Sequence, residues 1–427
     1  MMKKLAINGG KPVRSKPWAG NITTGEEEKQ AVMEVMDNGY LSLFEGSHKP
    51  DLPFSFWGGP KVQQLERDWC EYYDIKYAVS MNSATSGLYA AIGALGIGYG
   101  DEIIVSPYTM SACAACTLVY GAIPIFADVE LETGCLDPKS IEEKITVRTK
   151  AIIVVHQFGI PADMDHILII ANKNNIKVIE DCAQSHGAKY KEKYVGTLGD
   201  IGIFSLNINK TIQCGEGAVC VTNDQDVRYR LALIRNHGEA VVEQAGYENI
   251  VNIIGFNYRL TEIQAAIAIE QLKKLKHFND VRLEMVMYLN EQLTAYNSFI
   301  VPEGRAGCYS TYYIYPLRYI PESLGIERER LVEMINREGI MFFQGYVKPL
   351  YLQPLYQRKL AFKNGYPWIA SENKMIKTNY YKGACPNAEI LYFEQMIISE
   401  HIRIPHGKQE IEDILTAIRK VIEAVKR

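Results

Sequence analysis

The sequence predicts an α/β fold: a mostly parallel seven-stranded sheet flanked by helices, followed by a smaller α+β domain. Seven short apolar runs predict the sheet, at 77–81, 102–106, 123–128, 151–156, 176–181, 200–206 and 217–222. Several are continuous Val/Ile runs, the mark of strands covered on both faces. Helical stretches at 85–95, 109–120 and 164–174 lie between them, and strand–helix alternation implies parallel pairing. A chain of 427 residues is long enough for one large α/β domain and a smaller one.

Taken in order, residues 1–25 read as an irregular N-terminal arm with prolines and Trp18. A helix follows, with Thr24 as N-cap and Glu26, Glu27 and Glu28 in its first turn, where acids complement the helix dipole. Residues 42–60 form a long Gly/Pro/aromatic loop, a length that in a compact protein signals function or mobility. The large domain spans 26–260 and one long helix, with room for a bend, spans 261–295. The small domain spans 296–427, with strands near 312–318 and 400–404 and a final amphipathic helix at 408–426.

Composition excludes several classes. Net charge is −4 with no long basic block, so binding to nucleic acid or to an anionic membrane has no electrostatic support. No apolar stretch reaches bilayer-spanning length. The N-terminus has basic residues without an apolar core, so it does not read as a signal peptide. Nine cysteines, an odd number, favour free thiols in a reducing cytoplasm. Cys113 and Cys116 have CxxC spacing but no second pair. They read as buried small residues of a helix, and no metal site is expected.

Three segments carry chemistry. Asn82-Ser83-Ala84-Thr85-Ser86-Gly87 opens a helix with small and hydroxylic residues, which suits a phosphate or simple capping. Asp181 closes an apolar run, and in an open α/β sheet ligands gather at the carboxyl ends of strands. It reads either as a site acid or as the cap of the next turn. Lys210 follows the run ending at Ser205-Leu206 and precedes the glycine-bearing turn Cys214-Gly215-Glu216-Gly217. A lysine desolvated there has its amine free to attack and to shuttle protons. An acid and a lysine so placed are the two groups pyridoxal phosphate chemistry needs: the lysine forms a Schiff base and the carboxylate keeps the pyridine nitrogen protonated. Gln184, three residues beyond Asp181, is a candidate contact for the ring oxygen.

Further motifs extend this constellation: Gly59-Pro60-Lys61-Val62, Glu180-Asp181-Cys182-Ala183-Gln184, Phe204-Ser205 with Lys210, Gly215-Glu216-Gly217, Arg235-Asn236-His237-Gly238, and Gly255-Phe256-Asn257-Tyr258-Arg259 through Ala266. With these the chain resembles the DegT/StrS family of pyridoxal-phosphate-dependent sugar aminotransferases, of fold-type I, over nearly its whole length. The resemblance implies Lys210 as the Schiff-base lysine, Asp181 as the pyridinium partner and Gln184 on the ring-hydroxyl side. It also implies Ser205 with Ala84 and Thr85 on the phosphate, and Asn257 reaching the phosphate from a neighbouring subunit of a homodimer. The family's cofactor-stacking aromatic aligns with Met110 here, leaving Met110 or Tyr108 for that role. Asn207 stands where glutamine or histidine is commoner.

The implied reaction is a ping-pong transfer of an amino group from Glu or Gln to a keto sugar or keto-cyclitol. Gly9 to Arg14, Gly58-Gly59-Pro60 and Tyr346 to Tyr351 resemble members acting on keto-inositols. A nucleotide-linked keto sugar is the alternative acceptor. Trp57, Tyr346, His406 and His156 are candidate substrate-side groups, or packed side chains. Two rivals stand outside this class. One is a catalytically silent, pyridoxal-phosphate-binding regulator, though no helix-turn-helix or basic patch supports it. The other is a dinucleotide-binding oxidoreductase, but Gly96-Ile97-Gly98-Tyr99-Gly100 precedes a strand instead of following one, and Asp101 stands where the third glycine belongs.

Overall fold

The computed structural model describes residues 4–47 and 54–426. The middle of the 42–60 loop and the first three residues of the arm lie outside the described residues. All seven apolar runs form strands of one sheet: β1 (Tyr77–Met81), β2 (Glu102–Val105), β3 (Ile123–Phe126), β4 (Thr149–Val155), β5 (Lys177–Asp181), β6 (Ile201–Ser205) and β7 (Ala218–Thr222). Their order is β1-β7-β6-β5-β4-β2-β3. Only β7 runs against the others. Six carboxyl ends therefore lie along one edge. β2, β3, β6 and β7 are buried at every position, because helices cover both faces.

The helices start where local chemistry satisfies their free amides. For α1 (Glu26–Asn38) the N-cap is Gly25, one residue past the expected Thr24, and the Glu28 carboxylate accepts from the Gly25 N–H at 2.6 Å. α2 (Pro60–Tyr73) has proline in its first turn, and α3 (Ala84–Ala94) is capped by the Ser83 hydroxyl, which accepts from the Ser86 N–H. α4 (Ala112–Val119) begins later than its apolar run, because Ser106 to Met110 form a turn first. α5 (Pro138–Lys144), α6 (Met164–Asn174) and α7 (Gln225–Arg235) complete the layers.

The long connecting helix α8 is continuous from Glu262 to Leu293, opened by a capping box between Thr261 and Gln264. Its first half packs on α1 and α2. Its second half enters a separate core formed with the small sheet and the last helices. That sheet is antiparallel: β8 (Phe299–Ile300), β9 (Tyr315–Tyr319), β11 (Met396–Ser399) and β10 (Phe343–Gln344), in that order. α9 (Arg328–Arg337) and α10 (Lys408–Val425) cover it. The strand expected at 400–404 ends at Ser399, because the Ser399 hydroxyl takes the His401 N–H at 3.3 Å and Pro405 has none to give. Among the described residues, no helix is long and apolar enough to cross a membrane.

Candidate active site

The carboxyl edge of the sheet carries the chemistry. β5 and β6 are parallel neighbours, with Asp181 in register with Ile203. Asp181 is 6% exposed. One of its oxygens accepts from the Ala183 N–H at 3.0 Å and the other from the Cys113 thiol at 2.9 Å. Burial pushes that thiol far up, and the Asp181 charge adds to it, so Cys113 keeps its proton and donates. The CxxC pair thus lies on α4 as buried thiols, with one of them turned to the site acid.

Past β6 the chain folds back on itself to present Lys210. Leu206 N–H donates to Gly217 O, Ile208 N–H to Gly215 O and Lys210 N–H to Asn207 O, all within 2.9 Å. Asn207 donates to the Glu216 carboxylate at 2.9 Å. From the N-terminal arm, the Asn21 amide donates to both Ile208 O and Lys210 O. Lys210 Nζ lies 4.6 Å from the centroid of the Tyr313 ring. At the start of α3 the amides of Ala84 and Thr85 have no acceptor among the described residues, whereas Ser86 and Gly87 donate to Ser83. An eleven-residue helix with two free amides at its N-terminus favours an anion. A buried carboxylate, a half-buried lysine and that anion cradle fit pyridoxal phosphate.

Gln184 is buried, and its amide bridges two parts of the chain: Oε1 accepts from the Phe158 N–H at 2.8 Å and Nε2 donates to the Tyr346 hydroxyl at 3.0 Å. Tyr346 packs edge-on to Phe158 and Tyr108. Burial raises the Tyr346 phenol far above its ordinary range, and nearby Tyr313, Asp181 and Cys113 add to this against the Gln184 hydrogen bond. Phe158 and Tyr346 both hold positive φ, an uncommon conformation for non-glycine residues. Tyr108 is fully buried and its hydroxyl donates to Gly345 O, so its ring is committed to the core. Met110 is 55% exposed at the β2 turn. Ser205 is buried at the end of β6, and Asn257 is exposed with its side chain accepting from Arg259. Its backbone carbonyl accepts from Asn82, beside the anion cradle of the same chain.

The remaining candidates occupy other surroundings. His156 is fully buried, with one nitrogen on Glu180 at 2.9 Å and the other accepting from the Ala162 N–H. Glu180 also takes the Gly196, Leu198 and Gly199 amides. Although His156, Glu180 and Cys182 cluster closely, these hydrogen bonds already occupy the histidine and carboxylate, which reads as a structural network. His406 accepts from the Ala19 N–H and packs against Trp18, pinning the arm. Trp57 lies under the Arg228 guanidinium in a cleft with Cys70 and Tyr77.

The family described as DegT/DnrJ/EryC1/StrS aminotransferases matches residues 54–397. The chain belongs to this family. It is therefore an aminotransferase, on the fold of the pyridoxal-phosphate-dependent enzymes. It is 32% identical to L-glutamine:2-deoxy-scyllo-inosose aminotransferase of Streptomyces kanamyceticus, over 98% of this chain and 97% of that protein. It is 34% identical to GDP-perosamine synthase of Escherichia coli O157:H7, over 80% of this chain and 89% of that protein. An aminotransferase structure from Psychrobacter cryohalolentis superposes with a TM-score of 0.80 at 30% identity, covering 97% of this chain and 100% of the other. Sequence reasoning gave no site role to Asn21, Cys113 or Tyr313 in this aminotransferase, and of these only Cys113 had been singled out, by its CxxC spacing.

Proposed function

We propose that this aminotransferase binds pyridoxal phosphate and moves an amino group from Glu or Gln to a keto-cyclitol or keto sugar in two half-reactions. The observation that carries this reading is the convergence of Lys210, buried Asp181 and the free Ala84 and Thr85 amides on one sheet edge. The cofactor would supply an aldehyde to hold amines and a protonated ring to take up the electron pair released when a C–H bond breaks. Lys210 would hold it covalently between turnovers. In the first half-reaction Lys210 Nζ takes the proton from the donor α-carbon, and in the second it gives a proton to the acceptor carbon that receives nitrogen. Asp181 would keep the ring nitrogen protonated, oriented by Cys113 and the Ala183 amide. Ala84, Thr85 and Ser205 would bind the phosphate, with Asn257 reaching across from a second subunit. Met110 would cover the ring face, since Tyr108 is committed to the core.

The cyclitol acceptor is favoured by end-to-end similarity to the 2-deoxy-scyllo-inosose enzyme. The higher identity to GDP-perosamine synthase supports a nucleotide-linked keto sugar as the second reading. Absorbance spectra decide between them. Glu or Gln converts the bound cofactor, and one member of a panel of keto-cyclitols and nucleotide-linked keto sugars restores it. Lys210→Ala abolishes turnover. A Lys210→Ala protein with wild-type transamination would sink the mechanism, and a wild-type spectrum silent to both donors would sink the function.

A further inference from the structure

Positive charge gathers behind Lys210 with no carboxylate paired to it among the described residues; Glu400 acts on Arg403 only from beyond ion-pair distance. Arg282, on α8, is 3% exposed. Its Nη1 donates to Thr211 Oγ1 at 2.9 Å, the residue after Lys210, and its Nε to Ile402 O at 3.3 Å, the residue before Arg403. The Arg403 Nε is buried without a hydrogen-bond partner among the described residues. Neither arginine forms an ion pair among the described residues. The chain treats its other buried arginines differently. Arg235 is paired with Glu66 at 2.7 Å and Arg14 with Asp413 at 2.8 Å. Arg230 is wrapped by the carbonyls of Gly93, Ala94, Asn249 and Val251. Burial, and then Arg403, bring the Arg282 guanidinium down to about 10. A buried guanidinium without a counter-charge is costly, and an arriving anion relieves that cost. Tyr313 links the cluster to the site, because Lys210 Nζ lies over its ring and its phenol is close enough to Arg282 and Arg403 to influence both.

We propose that Arg403, backed by Arg282, receives the α-carboxylate of the amino donor. The inference rests on the aminotransferase reading above. A planar guanidinium matches a carboxylate in two parallel hydrogen bonds. Position favours a carboxylate over a phosphate. The donor's carboxylate is one bond from the carbon whose proton Lys210 takes, whereas the diphosphate of a nucleotide-linked sugar is several bonds from the keto carbon. Thr211, held by Arg282, ties this subsite to the lysine loop itself.

The test compares wild type, Arg403→Gln and Arg403→Lys as cofactor-loaded protein. Donor saturation is followed by visible absorbance with L-glutamate and L-glutamine, and calorimetry measures binding of glutarate, which has carboxylates but no amine. Arg403 donates no hydrogen bond among the described residues, so the thermal midpoint stays near wild type. Arg403→Gln raises the half-saturating donor concentration about 30-fold or more. Arg403→Lys recovers part of it, glutarate binding weakens in step, and the acceptor half-reaction keeps its half-saturating concentration. Unchanged donor saturation and glutarate binding in Arg403→Gln overturn the proposal. So does equal impairment toward donor and acceptor, the signature of a structural role, or loss confined to UDP or GDP binding, which would assign the arginines to an acceptor phosphate. If wild type itself responds to neither donor, the aminotransferase reading has failed instead.

Discussion

His186 lies buried between Trp69 and Phe204, and neither ring nitrogen has a well-formed hydrogen bond among the described residues, although the Ser205 backbone is near. Burial, reinforced by Lys210, brings its imidazolium down to about 3 from an ordinary 6.5. The unfolded chain therefore takes up a proton below pH 6.5 that the folded chain refuses. Stability falls as pH drops from about 6.5 towards about 3. His186→Leu, whose side chain suits the aromatic surroundings, removes about 1.6 kcal/mol of that acid-induced loss between pH 6.5 and pH 5. Urea unfolding at the two pH values measures it, and equal losses in wild type and variant would refute the assignment. The same scale explains why Asp181 and Lys210 were legible early. Asp181 closes an apolar run, and Lys210 follows one and precedes a glycine-bearing turn, so neighbours in sequence announce the segments that hold them.

At the scale of elements, β6 delivers Ser205 and Lys210, and its position depends on close backbone packing. A Cβ on Gly202 would lie 2.1 Å from Gly196 O, in the turn whose amides Glu180 holds. Gly202→Ala therefore forces β6 away from that turn, at a cost of about 2–3 kcal/mol or more. The denaturation midpoint falls accordingly, and the displaced lysine loop binds pyridoxal phosphate more weakly. A variant with an unchanged midpoint would show that the turn yields freely. Element boundaries were legible where a strand is buried on both faces or a helix has an obvious cap. They were misread where side chains took over backbone amides, as at Gly25 and at His401.

At the scale of the whole molecule, two hydrophobic cores meet along α8, one around the large sheet and one around the small sheet. Several large apolar side chains remain outside both, including Met110, Ile208, Val251 and Ile254, each more than half exposed. Together with exposed Asn257, they support the proposed homodimer with shared sites. Sedimentation equilibrium then gives about twice the 48.3 kDa chain mass. A fully active monomer would exclude a partner subunit's contribution from Asn257.

The alternation of apolar runs with helical stretches was enough to reveal seven strands, their α/β class and the placement of Asp181 at a strand's carboxyl end, because burial on both faces and strand-end placement are local properties. Strand order, the reversed β7 and the surroundings of Lys210 were a matter for the tertiary structure. The Asn21 contact to Lys210 spans 189 positions, Gln184 to Tyr346 spans 162, Arg282 to Thr211 spans 71 and Cys113 to Asp181 spans 68. No neighbouring residue signals such partners. They meet because the arm, α4, α8 and the small domain pack around one sheet edge.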